Sequence, residues 1–153
     1  MSRVKILAID PGEMTGWARG IVEDGQVTVE ASGYAPWQEF VVTFAERMLG
    51  DDEKYTVIVY ESWRLRRSSA LELVGSDLQS SQCIGAIKLA CWLAQKSGHV
   101  VRVRNQEPAI KNVVDSMMGG TEYLPKSDKM HPKDAVRHLY YYAITEEGVE
   151  VDI

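Results

Sequence analysis

The sequence predicts an α/β layer fold: a mixed five-strand sheet with helices against its faces. Three observations carry this. Residues 4–9 and 55–60 are short runs of branched and apolar side chains, each ending in an acid, Asp10 and Glu61. Such runs read as buried strands. After the first run, two further β-patterned stretches flank Glu23-Asp24-Gly25, a hairpin turn signal. From residue 37 onward, stripes of apolar residues at helical spacing alternate with short strand patterns, the order expected of helices layered on a sheet.

In chain order, residues 4–9 form the first strand and Pro11-Gly12 stops it, since proline cannot donate to a ladder and glycine bends tightly. Residues 15–22 and 26–34 form the antiparallel pair. Pro36 stands at the start of a helix over 37–48, whose apolar face is Phe40, Val41, Phe44, Ala45 and Met48. Residues 55–60 are the fourth strand. Residues 62–76 are polar and basic and read as an exposed loop. Residues 77–96 predict a helix with a stripe of Ile84, Ile87, Ala90, Cys91 and Ala94. Gly85, Ala86 and Trp92 extend its apolar character around the helix, so two faces need cover. Residues 99–103 read as the fifth strand. Pro108 opens a helix carrying Ile110, Val113, Val114 and Met117, and Gly119-Gly120 ends it. Residues 121–130 are a loop, and Pro132 opens the last helix, striped by Ala135, Val136, Leu139, Tyr142 and Ala143.

With 153 residues, 45% of them hydrophobic and 25% charged, one domain spanning 1–153 is expected. No apolar run approaches the roughly 20 residues of a membrane helix, and the N-terminus lacks a signal-peptide pattern. Cys83 and Cys91 lie in a helical pattern without a CxxC and read as reduced buried thiols, so a cytoplasmic protein is expected. A net charge of -5 speaks against nucleic acid until its distribution is considered. Residues 23–53 hold eight acids and the tail after Thr145 four, whereas residues 96–137 hold eight bases and five acids. Arg64, Arg66 and Arg67 cluster beside Trp63.

Three acids occupy element ends: Asp10, Glu61 and, in the first turn of the last helix, Asp134. His131 precedes Asp134 by three residues, so the two share one side of the helix entry. Neighbouring parallel strands end about 4.8 Å apart, close enough for Asp10 and Glu61 to share a metal. Oxygen donors with one imidazole suit Mg²⁺ or Mn²⁺ better than Zn²⁺. Two such ions stabilise the attacking and leaving oxygens in phosphodiester hydrolysis. Each residue also has an ordinary reading: Asp10 as a turn acid, Glu61 as a partner of Arg64, His131 as a residue flanking a cap, and Asp134 as a complement to the helix dipole.

These motifs together resemble the RuvC-type Holliday-junction resolvases, which have the ribonuclease H-like fold. The resemblance runs over nearly the whole chain. Ile9-Asp10-Pro11-Gly12 with Thr15-Gly16 is similar to the family's first acid motif, and Tyr60-Glu61 to its second. Pro108-Ala109-Ile110-Lys111 resembles the proline-to-lysine segment, and His131-Pro132-Lys133-Asp134-Ala135 the closing motif. The resemblance implies that Asp10, Glu61, His131 and Asp134 hold two metal ions, with Lys111 near the scissile phosphate. It implies branched DNA, a four-way junction above all, as partner, and a homodimer through the helix at 79–95. Lys126 and Lys129 are candidates for a second family lysine. Trp63 stands near the family's aromatic wedge or else packs in its loop. Arg64, Arg66 and Arg67 read as phosphate contacts. Gly12 and Thr15 are one residue closer than in the bacterial enzymes, and Ser62-Trp63-Arg64 replaces their usual residues after the second acid. Other readings are a related nuclease on RNA or other substrates, a non-catalytic junction-binding dimer, and an ATP-binding actin- or sugar-kinase-like domain, which uses a similar Asp-x-Gly hairpin.

Overall fold

The computed structural model describes residues 3–50, 54–62 and 78–151. Its elements are β1 (Val4–Asp10), β2 (Met14–Glu23), β3 (Gln26–Pro36), α1 (Trp37–Leu49), β4 (Val57–Glu61), α2 (Gln79–Lys96), β5 (Arg102–Gln106), α3 (Ile110–Met117) and α4 (Met130–Glu146). The strands form one sheet in the order β3-β2-β1-β4-β5. The first three are antiparallel neighbours, while β4 runs parallel to both β1 and β5. The predicted mixed sheet and the predicted order of elements are both observed.

The central strands are buried on both faces, as parallel strands under helices must be. Side chains alternate across a strand. Leu7, Ile9, Ile58 and Tyr60 join Phe40, Phe44 and Met48 of α1 and Cys83 and Ile87 of α2. Ile6, Ala8, Val57 and Val59 meet Ala135, Val136, Leu139, Tyr142 and Ala143 of α4. Asp10 shares the parity of Ala8, and Glu61 that of Val59. The last residue of each central strand is therefore aimed at the α4 side of the sheet. That parity is what turns two strand ends into half of a site.

Most boundaries shift by one or two residues from the sequence reading, β4 for instance to Val57–Glu61 from 55–60, and two larger shifts bear on the site. The fifth strand is Arg102–Gln106 rather than 99–103. His99 is occupied elsewhere: its backbone N–H donates to Ala94 O at the end of α2 and its Nε2 lies 3.0 Å from Tyr55 O. The strand then continues through polar residues because β5 is an edge, where exposed charge is favoured. At the last helix, Met130 and His131 already belong to the first turn, with Pro132 tolerated there because its missing N–H has no intrahelical acceptor. Asp134 thus lies two residues further in than expected, past the first turn and beyond the reach of a simple dipole complement. Residue 77 lies outside the described residues; α2 begins at Gln79. Cys83 and Cys91 are buried and unbridged. Among the described residues no helix is long and apolar enough to cross a membrane.

Candidate metal centre

The first hairpin builds the floor of the site. Thr15 Oγ1 donates to Gly12 O at 3.0 Å and closes the turn after Asp10. Ser80 of α2 donates to Pro11 O at 3.3 Å, tying that turn to the helix layer. Gly16 pairs with Asp10 in the sheet. A Cβ on Gly16 would stand 2.1 Å from the carbonyl oxygen of His131, so only glycine lets α4 descend here. The Thr15-Gly16 pair thereby brings the α4 entry onto the end of β1.

Asp10, Glu61 and Asp134 converge as a result. One carboxylate oxygen from each lies within 4.8 Å of the others. All three residues are buried, at 8% exposure each. Two like charges about 4 Å apart repel by about 4 kcal/mol at a protein's effective dielectric, so three bare carboxylates cannot coexist here without cations or protons. The chain supplies both. Lys111 Nζ sits 3.2 Å from Glu61 Oε1 and 3.2 Å from Asp134 Oδ2. Arg137 Nη1 donates to Asp134 Oδ1 at 2.8 Å. Burial, the shared hydrogen bond with Glu61 and the repulsion of Glu61 and Asp134 push the Asp10 carboxyl up to about 9. Glu61 goes the other way: burial works against its charge, yet His138, Asp10 and Lys111 together hold it down to about 2. Asp10 thus keeps its proton at neutral pH while Glu61 is ionised.

His131 stands at the edge of this cluster, Nδ1 3.0 Å from Asp10 Oδ2, with its side chain about half exposed, at 47%. Lys111 reaches in from α3, and a second tie fixes that helix: Arg137 Nε donates to Asp115 Oδ1 at 3.0 Å, and Tyr123 Oη donates to the same oxygen at 2.6 Å. Lys126 and Lys129 are exposed between α3 and α4 and are not part of the cluster. Trp63, Arg64, Arg66 and Arg67 lie outside the described residues.

The sequence reading missed Arg137, Asp115, Gln106 and His138. Arg137 and His138 follow Asp134 by three and four residues and so share its helix face, a signal that was legible. Gln106 was missed because the fifth strand was ended three residues early.

No family model matches the chain, and no curated protein matches it by sequence. Among solved structures the chain is similar to RuvC of T. thermophilus, which is in complex with a Holliday-junction substrate. The TM-score is 0.57 and the identity 17%, over 95% of this chain and 97% of that one. Weaker likenesses are the yeast mitochondrial Holliday junction resolvase Ydc2, with TM-score 0.46 and 17% identity over 74% of this chain and 55% of that one, and the large terminase of a thermophilic bacteriophage, with TM-score 0.39 and 13% identity over 94% and 39%. At 17% identity the first of these comparisons speaks for architecture alone: this chain shares the fold of that RuvC over nearly the whole of both chains.

Proposed function

We propose that this chain is a metal-dependent, structure-selective DNA endonuclease that resolves four-way junctions as a homodimer. The observation that carries the reading is the convergence of Asp10, Glu61 and Asp134 from β1, β4 and α4 within 4.8 Å. The donor set fits a divalent ion: hard oxygens are what Mg²⁺ and Mn²⁺ prefer, and the ammonium of Lys111, bridging Glu61 and Asp134, marks a place for positive charge. Asp10, Glu61 and Asp134 would hold the metal, with His131 as a further ligand beside Asp10. Two ions bound there stabilise the attacking and leaving oxygens of a phosphodiester. Metal held there would take the place of the Asp10 proton, and Lys111, beside Glu61 and Asp134, would be placed to meet a phosphate oxygen. Arg64, Arg66, Arg67, Lys126 and Lys129 are proposed phosphate contacts, and Trp63 the side chain that wedges into the branch. The residues of 1–153 act as one nuclease domain.

Incubating four-way, three-way, flap and linear DNA with Mg²⁺ or Mn²⁺ tests this. Preferred incision of the four-way junction beside the branch is expected. Nucleotide binding without cleavage would instead favour an ATP-binding domain, and equal cutting of linear duplex would remove the structure selectivity.

The proposed dimer would form through α2. Its inner face, Cys83, Ile87, Ala90, Cys91 and Ala94, is buried in the core. Its outer face leaves Leu89 54%, Trp92 60% and Leu93 42% exposed, next to open space at Gly85. A four-way junction is two-fold symmetric, and a closed two-fold dimer matches it. Leu89→Glu with Trp92→Glu is expected to give a monomer by sedimentation at micromolar concentration and to lose paired incision. A wild-type protein that sediments as a monomer with and without junction would count against the dimer.

A further inference from the structure

The two carboxylate oxygens of Glu61 face different partners. Oε1 meets Lys111, while Oε2 is turned inward, 3.6 Å from Nε2 of His138. His138 lies one turn beyond Asp134 on α4 and is wholly buried, at 0% exposure. Its Nδ1 stands 2.7 Å from Gln106 Oε1. Gln106 is the residue of β5 in register with Glu61, and it is buried as well. His138 Nε2 has no hydrogen-bond partner, although water cannot reach it.

A neutral imidazole carries one proton. With that proton on Nδ1, the lone pair of Nε2 faces a carboxylate oxygen, and two buried acceptors confront each other. With the proton on Nε2, the ring donates toward Oε2. The Gln106 amide, turned end for end so that its nitrogen faces Nδ1, then donates to the ring. A doubly protonated ring donates in both directions. Every arrangement that satisfies the buried atoms puts an N–H on Nε2.

We propose that His138, braced by Gln106, is the positioning residue of Glu61: its Nε2–H donates to Oε2 and sets the carboxylate plane so that Oε1 is presented to the acid cluster. The consequence for metal rests on the nuclease reading above, whereas the contact itself does not. The 3.6 Å separation is longer than a hydrogen bond, and a small turn of the carboxylate closes it. Gln106 and His138 come from β5 and α4, so the pair also locks the edge of the sheet to the helix that carries Asp134.

Two readouts separate this from a packing role. In metal-free protein, nitrogen-15 correlation spectra of the imidazoles report which nitrogen of His138 carries the proton. A proton on Nε2 that shifts in Glu61→Gln is expected. A ring protonated on Nδ1 alone overturns the proposal, whatever the activity. The second readout is Mn²⁺ affinity of the DNA-free protein, measured by calorimetry. His138→Leu keeps buried volume and removes the donor, and it is expected to weaken Mn²⁺ binding about tenfold or more. His138→Gln, which keeps an N–H near the place of Nε2, should recover most of that loss. Gln106→Leu should match His138→Leu, with little further loss in the double variant. Unchanged Mn²⁺ affinity in both single leucine variants, with only a lower melting temperature, would reduce the pair to packing and overturn the proposal. No Mn²⁺ binding and no cleavage by the wild type would sink the nuclease reading separately, and the imidazole spectrum would still decide the contact.

Discussion

Asp10→Asn is expected to make the metal-free protein more stable at pH 7–8 while removing its ability to bind metal. The sign follows from linkage. The Asp10 carboxyl is raised from 3.8 to about 9 in the fold, chiefly by burial and then by Glu61. A raised group contributes stability that is complete below its ordinary value and drains away as pH climbs through its folded value. The metal-free protein should therefore lose stability between about pH 4 and pH 9. Glu61, lowered from 4.5 to about 2, contributes the reverse: stability present above its ordinary value and lost below it, toward pH 2. An asparagine at position 10 keeps a hydrogen bond to Glu61 and cannot ionise, so the alkaline loss should vanish. A gain of about 1 kcal/mol reads as about 2–4 °C in melting temperature for a chain of this size. Mn²⁺ should raise the melting temperature of the wild type and leave Asp10→Asn unmoved. A variant that melts lower than wild type at pH 8 without metal would show that Asp10 is ionised in the fold.

Gly16→Ala should be severely damaging, though it touches no acid. The new Cβ would lie 2.1 Å from His131 O and 2.3 Å from the His131 carbonyl carbon. Those are backbone atoms and cannot swing aside, so β2 and the α4 entry must separate. Overpacking of this kind costs about 1–3 kcal/mol, or more where backbone has to move. The shift is borne by His131 and Asp134, which must stay in place against Asp10. A displacement of about 1 Å at a catalytic constellation costs about a hundredfold in rate. Thermal melting and a single-turnover junction assay together check this. Wild-type behaviour in both would mean that the approach of α4 to β2 is not what assembles the site.

The fold was legible where one physical signal dominated. Residues 4–9 and 55–60 are buried on both faces, and their apolar runs say so; the Asp24-Gly25 turn fixes the hairpin. The edge strand β5 was misplaced because apolar character marks burial rather than pairing, and an edge strand needs little of it. Asp10 and Glu61 were legible as strand ends and Asp134 as an acid near the start of the last helix, though it lies past the first turn, and the α4-side parity of the two strand acids explains why they meet. What joins them was not. Lys111 reaches Asp134 across 23 positions of sequence and Arg137 reaches Asp115 across 22, contacts that exist only once α3 docks on α4. His138 carried no assignment in the sequence reading, and only packing shows that it lies inside.

The most direct test is cleavage of one immobile four-way junction in Mg²⁺ or Mn²⁺ by wild type, Asp10→Asn, Glu61→Gln and Asp134→Asn, each at equal junction occupancy. Metal neutralisation supplies several kcal/mol of transition-state stabilisation, so each variant should cut about a thousandfold or more slowly while still binding the junction. The wild type should give paired incisions placed symmetrically about the branch. Cleavage near the wild-type rate by any of the three would contradict the claim that these carboxylates jointly hold the metal.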